Sequence, residues 1–372
     1  MSYVLAAVGF MLLILLHEAG HFVAAKAVGM RVERFSLFFG PLLVKVRRGE
    51  TEYGIAPIPL GGYVKITGMN PNEEIPPEVE HRAYYRQPAW KRIVVILAGP
   101  VVNLVIAFAI LFLLAHHTGQ PVKDHQGREV TSNRIADGSL QPPAAGTLAV
   151  GDRIVSVDGR RGDVRAISRQ IASHRCAGRP TPGCRATTAA RVTVERAGRE
   201  RTFSIVPRYD PDAQRTRVGF GFDVLTRPVG WPAAAGQSVS TMWNVTTATI
   251  GAIGHVFVAP KFFEHDGKKG QVGSVVGGFK ATQQSFAASL TQALFILALI
   301  SLSLGVVNLF PFLPLDGGHI FWALAEKVRG RSIDFGVLER ASVVGFMLVI
   351  FVFLVGLSND ISTLSHGGFA VR

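Results

Sequence analysis

The sequence predicts an α-helical polytopic membrane protein with four transmembrane helices and one long insert outside the bilayer. Three observations carry this reading. The chain is 48% hydrophobic and only 17% charged. Its apolar residues are gathered into four long runs, and lysine and arginine concentrate in two of the loops between them.

The first run, residues 3–16 ("YVLAAVGFMLLILL"), has no charge, and "FVAA" (22–25) continues it past a polar interruption. The other runs are Ile93–Ala115, Phe286–Phe310 and Ala341–Leu357, of 23, 25 and 17 residues. At 1.5 Å per residue each can cross a hydrocarbon core of roughly 30 Å, the last with little tilt. A cleaved signal peptide would need a basic segment ahead of the first run, and "MSYV" contains none.

Loop charges set the orientation. Gly29–Arg92 carries ten Lys/Arg and Pro311–Leu338 carries three, whereas the N-terminus has none and the tail after Leu357 only Arg372. The positive-inside rule places both loops in the cytoplasm and both termini outside. The long segment His116–Ser285 is then extracytoplasmic. Between His117 and Gly230 it holds 19 Lys/Arg against 11 Asp/Glu, a large part of the formal charge of +13. These arginines are scattered and not interleaved with aromatics, so the expected partner is the anionic surface of the lipid bilayer, not nucleic acid. The two cysteines, Cys176 and Cys184, fall in "CAGRPTPGC" on the proposed outer side. C-x₇-C is a poor zinc spacing, and an oxidising compartment permits a disulfide.

The polar interruption of the first run is "HEAGH" (17–21). His17 and His21 are four apart, so on a helix they share one face and can both reach one Zn²⁺. Glu18 sits beside the first of them in the H-E-x-x-H order of two ligands and a general base. A five-residue pattern also arises by chance, but ionisable groups inside a membrane span are costly and mark function. A catalytic zinc usually has three protein ligands. The best third is Asp316 in "NLFPFLPLDGGH" (308–319), after Pro311 and Pro314, which break a helix, and before Gly317-Gly318, which permit a tight turn. His319 is the rival ligand, and "DGG" alone reads as a common turn.

With "HEAGH" in a first span and "NLFPFLPLDGG" after a third, the chain resembles the site-2 protease family of intramembrane zinc metalloproteases. "GGYVKITGM" (61–69) and "AGPVVNLVIAF" (98–108) look like that family's segments before and within the second span, and the region around "VGDRIVSVDG" (150–159) resembles a PDZ domain of its bacterial members. The resemblance implies that His17, His21 and Asp316 are zinc ligands and Glu18 the catalytic acid/base, with Asn308 near the active site, holding substrate or polarising a carbonyl. Asn103 is a weaker candidate for the same support, since buried membrane asparagines often just bond a neighbouring helix. It also implies a re-entrant β element within residues 31–68, where short β-type runs are broken by Gly, Pro and the turn-like "RRGE". An edge of that element would hold a substrate strand through main-chain bonds.

The expected organisation is therefore a membrane core half at 1–119 (helices 1 and 2), an extracytoplasmic α+β PDZ domain at 120–227, a connecting segment at 228–285 of open structure that could lie along the membrane surface, and a second core half at 286–372 (helices 3 and 4). Within the insert, "RVTVERAGRERTFSIVPR" (191–208) alternates around "AGRE", a hairpin signal. By resemblance the substrates are single-pass membrane proteins already shortened on the outer side, such as anti-sigma factors. The active site would lie toward the cytoplasmic side, and the PDZ domain would take a peptide or C-terminus. One alternative is a membrane-anchored PDZ scaffold with a structural zinc, which would be expected to close with four protein ligands. Another is a zinc transporter, which needs polar residues along several spans, and Ala341–Leu357 has only Ser342.

Overall fold

Where the sequence is apolar over long stretches, the backbone is helical. The structure, a computed structural model, describes residues 1–70, 73–211, 213–258, 274–331 and 333–365. Helix α1 (Ser2–Ala27) leads into strands β1 (Val32–Phe39), β2 (Val44–Arg48), β3 (Thr51–Ile55) and β4 (Ile58–Ile66), then a single turn α2 (Pro77–Glu80) and helix α3 (Ala89–Thr118). The strands form one sheet in the order β2-β3-β1-β4. Strand β1 runs parallel to β3 and antiparallel to β4. The "RRGE" turn joins β2 to β3, with Gly49 at φ +59 supplying the left-handed residue. Beside it, Glu50 accepts from both Arg82 and Lys26, which ties the hairpin to the end of α1. The Arg82 guanidinium holds the Glu50 carboxyl at about 2, well below the usual carboxylate range. Ala25, Met30, Val32, Ile66, Val95 and Ile96 form the apolar core between sheet and helices.

The chain divides into two compact units, Met1–Leu113 with Ala235–Phe286 and Ala293–Arg372, and Leu114–Ala234 with Ala287–Gln292. The second unit is β-rich. It contains β5 (Gln120–Pro121), β6 (Thr131–Ile135), β7 (Arg153–Val157), helix α4 (Val164–Ala172), β8 (Ala190–Arg196), β9 (Arg199–Ile205), β10 (Arg208–Asp210), β11 (Arg215–Arg217), β12 (Phe222–Val224) and β13 (Thr226–Arg227). Five of these make a sheet in the order β12-β6-β7-β8-β9. The expected hairpin is β8–β9, turning through Ala197 (φ 51) and Gly198 (φ 74), the mirror-image turn that matches strand twist. Alternate residues Val192 and Val194 face a core with Ile135, Ile154, Ile167 and Ile205. Asp163 caps α4 by accepting from Ala166 N–H at 2.8 Å. At the base, β5 pairs with β13, Gln120 opposite Arg227.

The remainder of the chain is helical: α5 (Trp231–Val258), α6 (Val275–Ala288), α7 (Leu290–Asn308), α8 (Asp316–Arg329) and α9 (Phe335–Ser365). Among the described residues four helices are long and apolar enough to cross a membrane: Ser2–Ala27, Ala89–Thr118, Leu290–Asn308 and Gly336–Ser358. Three of the expected spans are corrected in their bounds, the second by extension from Ile93–Ala115 to Ala89–Thr118. The run Phe286–Phe310 is broken at Ser289, so the spanning helix starts at Leu290. Composition marks such a run but not an interruption within it. The last span reaches past Ala341–Leu357 to include Glu339 and Arg340, because long charged side chains near a helix end can reach the interface. The connecting segment, 228–285, holds α5 and most of α6, which runs on to Ala288; part of it, 259–273, lies outside the described residues.

Candidate metal centre

Helix α1 buries one face, Leu13, His17, Gly20, His21 and Ala25, against its neighbours. The approach to α3 is close. A methyl on Gly20 would stand 2.6 Å from the Ala98 carbonyl oxygen, and one on Gly99 would overlap the His21 ring. These small residues bring α3 near enough to touch the imidazoles. His21 Nδ1 lies 2.9 Å from the Val95 carbonyl oxygen. A carbonyl can only accept, so Nδ1 carries the proton and the Nε2 lone pair is free.

Asp316 arrives from the other end of the chain. Helix α7 stops at Asn308, and residues 309–315 form the turn that the prolines require. Asp316 then opens α8 with Leu315 at the N-cap position. Here the reading of "DGG" as a turn is corrected, because Gly317 and Gly318 belong to the first turn of α8 and are buried. Methyls on them would overlap the backbone of Leu309 and of Phe312–Leu313. They are small because the preceding turn folds back onto the helix start.

The three side chains meet. His17 Nε2 and His21 Nε2 are 3.3 Å apart, and each is 3.4 Å from Asp316 Oδ2. A tetrahedron with bonds of about 2.0–2.1 Å has edges of about 3.3 Å. Asp316 Oδ2 is buried and makes no hydrogen bond among the described residues, a cost that a cation would remove. The donor set and its spacing fit zinc. Among the described residues this is the one group of three such side chains that could hold a metal, and His319 is not in it.

The remaining residues singled out in the sequence fall into two places. Asn308, at the end of α7, has its amide nitrogen 3.4 Å from His17 Nε2. Asn103 of α3 is fully buried, its amide nitrogen 3.1 Å from His17 Nδ1. Glu18 is half-buried on α1, and Gly62 of β4 packs against it. Cys176 and Cys184 lie in the β-rich unit, at disulfide-bonding distance with Cα atoms 6.2 Å apart. Sequence reasoning missed the contacts of Val95, Gly62 and Gly99. The segments "GGYVKI" and "AGP" carry the glycines, but only tertiary proximity gives them their role.

Three side chains on two helices, close enough together to hold one metal ion, in a chain with four helices able to cross a membrane, fit a zinc metalloprotease of the intramembrane kind. The chain belongs to peptidase family M50, the site-2 protease family, whose model matches residues 5–352. It is similar to zinc metalloprotease Rip1 of Mycobacterium tuberculosis H37Rv, 30% identical over 88% of this chain and 86% of the other. Rip1 of Mycolicibacterium smegmatis is 32% identical over the same shares. Atu1380 of Agrobacterium fabrum is 29% identical over 98% of this chain and all of its own. The protein is a multi-pass membrane zinc metalloendopeptidase.

Proposed function

We propose that His17, His21 and Asp316 hold the zinc and that Glu18 moves the protons of peptide-bond hydrolysis. The observation that carries this is the triangle of 3.3–3.4 Å between the three donor atoms. Zinc, when bound there, supplies Lewis acidity. Glu18 takes a proton from the attacking water as its oxygen bonds to the carbonyl carbon. When the C–N bond breaks, Glu18 returns that proton to the leaving nitrogen. The Asn308 amide, beside His17, donates toward the substrate carbonyl.

A peptide bond inside a helix is shielded, so a membrane substrate must unwind before water reaches it. Strand β4 is an edge strand of its sheet and lies against Glu18. Its free edge would hold the unwound segment as an added strand, which is the role of a re-entrant β element. The β-rich unit supports a PDZ reading. A groove of about 240 Å³ runs between α4 (Val164, Ser168, Ile171) and the segment that leads into β12 (Phe220, Gly221, Phe222). It would take a peptide or C-terminus as a further strand. Positive-inside counting places this unit and both termini outside, with the active site toward the cytoplasm. The substrates are single-pass membrane proteins, such as anti-sigma factors, already shortened on the outer side.

The test is a reconstituted reaction. Purified protein in lipid, given a single-pass substrate with and without its ectodomain, should cleave the shortened form within its membrane segment. Mass spectrometry of the fragments locates the bond. Partner binding without any fragment would return the scaffold reading.

A further inference from the structure

The two histidines of the centre are not held alike. The second nitrogen of His21 meets a backbone carbonyl, Val95 O at 2.9 Å. The second nitrogen of His17 meets no backbone carbonyl among the described residues. It faces the side chain of Asn103, 3.1 Å away, on the same helix α3. Asn103 has no exposed surface, and among the described residues the other end of its amide has no hydrogen-bond partner. Its backbone is fixed as well: Ser301 Oγ of α7 donates to the Asn103 carbonyl at 2.9 Å. A methyl on Gly305 would stand 3.3 Å from Asn103 Cβ. A buried amide with one end unpaired is unfavourable, so the contact with His17 is what this position supplies.

Which end of the amide faces His17 follows from the ligand set. The oxygen and nitrogen of an asparagine side chain have the same shape and are assigned from their partners. If the amide nitrogen donated to Nδ1, the ring proton would sit on Nε2 and point at His21 Nε2 and Asp316 Oδ2, where the lone pair is needed. With the amide turned over, Oδ1 accepts the Nδ1 proton and Nε2 is left bare. A ligating histidine nearly always has such an acceptor on its other nitrogen.

We infer that Asn103 is a positioning residue whose side-chain oxygen accepts the Nδ1 proton of His17 and keeps its Nε2 lone pair directed at the zinc. This rests on the zinc-site reading above. It replaces direct substrate support as the role of Asn103.

The experiment measures zinc affinity of the purified full-length protein by competition with a chelator, for wild type, Asn103→Leu and Asn103→Asp. Leucine has similar size and no acceptor. Aspartate keeps an acceptor oxygen and cannot donate. Loss of such an acceptor typically weakens metal binding about 10–100-fold, so Asn103→Leu should fall by that much and Asn103→Asp should stay within about threefold of wild type. Cleavage by Asn103→Leu should recover as free zinc is raised to saturation. Wild-type affinity in the leucine variant, or an equal loss in both, overturns the inference, as does unchanged affinity with a raised KM at saturating zinc. Should the leucine variant not insert, a loss of about tenfold or more in Asn103→Asp alone overturns it. A wild type that binds no zinc would instead sink the zinc-site reading.

Discussion

Gly62 of β4 lies so close to Glu18 of α1 that a methyl on the glycine would overlap Glu18 Cγ and stand 3.2 Å from its Oε1. The edge strand of the sheet and the proposed proton carrier are thus one assembly. The glycine is needed for close approach, not for its freedom of backbone. Gly62→Ala should push strand and carboxylate apart without touching a ligand. A misplacement of about 1 Å can cost as much as 10²-fold in rate. We expect cleavage to fall at least tenfold on that ground, with zinc near one equivalent per chain. Metal analysis beside turnover checks both halves, and full activity in Gly62→Ala would separate the sheet from the chemistry.

Glu18→Gln keeps the side chain's size and removes its ability to take and return a proton. Zinc should remain bound, and turnover of a shortened substrate should drop by about 10²–10⁴-fold. Asp316→Ala should lose zinc and cleavage together. A zinc-loaded Glu18→Gln enzyme that cleaves normally would eliminate the proposed mechanism.

The placement of Cys176 and Cys184 makes a prediction about compartment. Non-reducing peptide mapping of protein from native membranes should recover the two as one linked fragment. Both alkylated without prior reduction would argue against the pair. Labelling from the cytoplasmic side alone would reverse the orientation derived from loop charges.

Deleting Gln120–Arg227 and joining the ends with a short linker should leave zinc in place. Because the proposed metal ligands all lie elsewhere in the chain, the loss should be of selectivity: unshortened substrates should be cut as well. A deletion protein with unchanged preference would show that this unit does not hold back unshortened substrates, and one that binds zinc but cuts nothing would assign the unit to recruitment.

Within that unit, buried Asp152 accepts from Arg196 at 2.6 and 2.7 Å. The Arg196 guanidinium holds its carboxyl below the usual range, against the opposing effect of burial. A depressed carboxyl pKa stabilises the fold above the unfolded value of about 3.9, and this contribution fades as pH falls through the lower folded value. Asp152→Asn should therefore weaken the unit by about 1–3 kcal/mol at neutral pH. Hydrogen exchange of the β7 and β8 amides should show a difference from wild type that shrinks as pH falls below the unfolded value of about 3.9.

The helical spacing of His17 and His21 could be read directly, since four residues return a side chain to the same face. The β8–β9 hairpin was equally legible from alternation around Ala197-Gly198. Asp316 was legible as a carboxylate following two prolines, but its glycines were misread. A glycine pair looks the same whether it turns the chain or admits a neighbour's backbone. Gly20, Gly62 and Gly99 belong to the same class: their role is set by what packs on them from afar. The break at Ser289 left no compositional trace, and the two ends of the Asn103 amide differ only in what they face.

The short ladder of β5 and β13 has a consequence beyond its two residue pairs. Gln120 lies opposite Arg227 and Pro121 opposite Thr226, so the whole insert departs and returns through one gate a strand's width across. The entropy of closing a loop grows with the number of flexible residues in it, and a folded insert whose ends are paired adds few of them. For the folding of the membrane helices, the insert is therefore equivalent to a tight connection. A lineage or an engineer can exchange what lies between the gateposts for any domain whose termini are neighbours. The specificity of such a protease is then free to change on a separate clock from its chemistry.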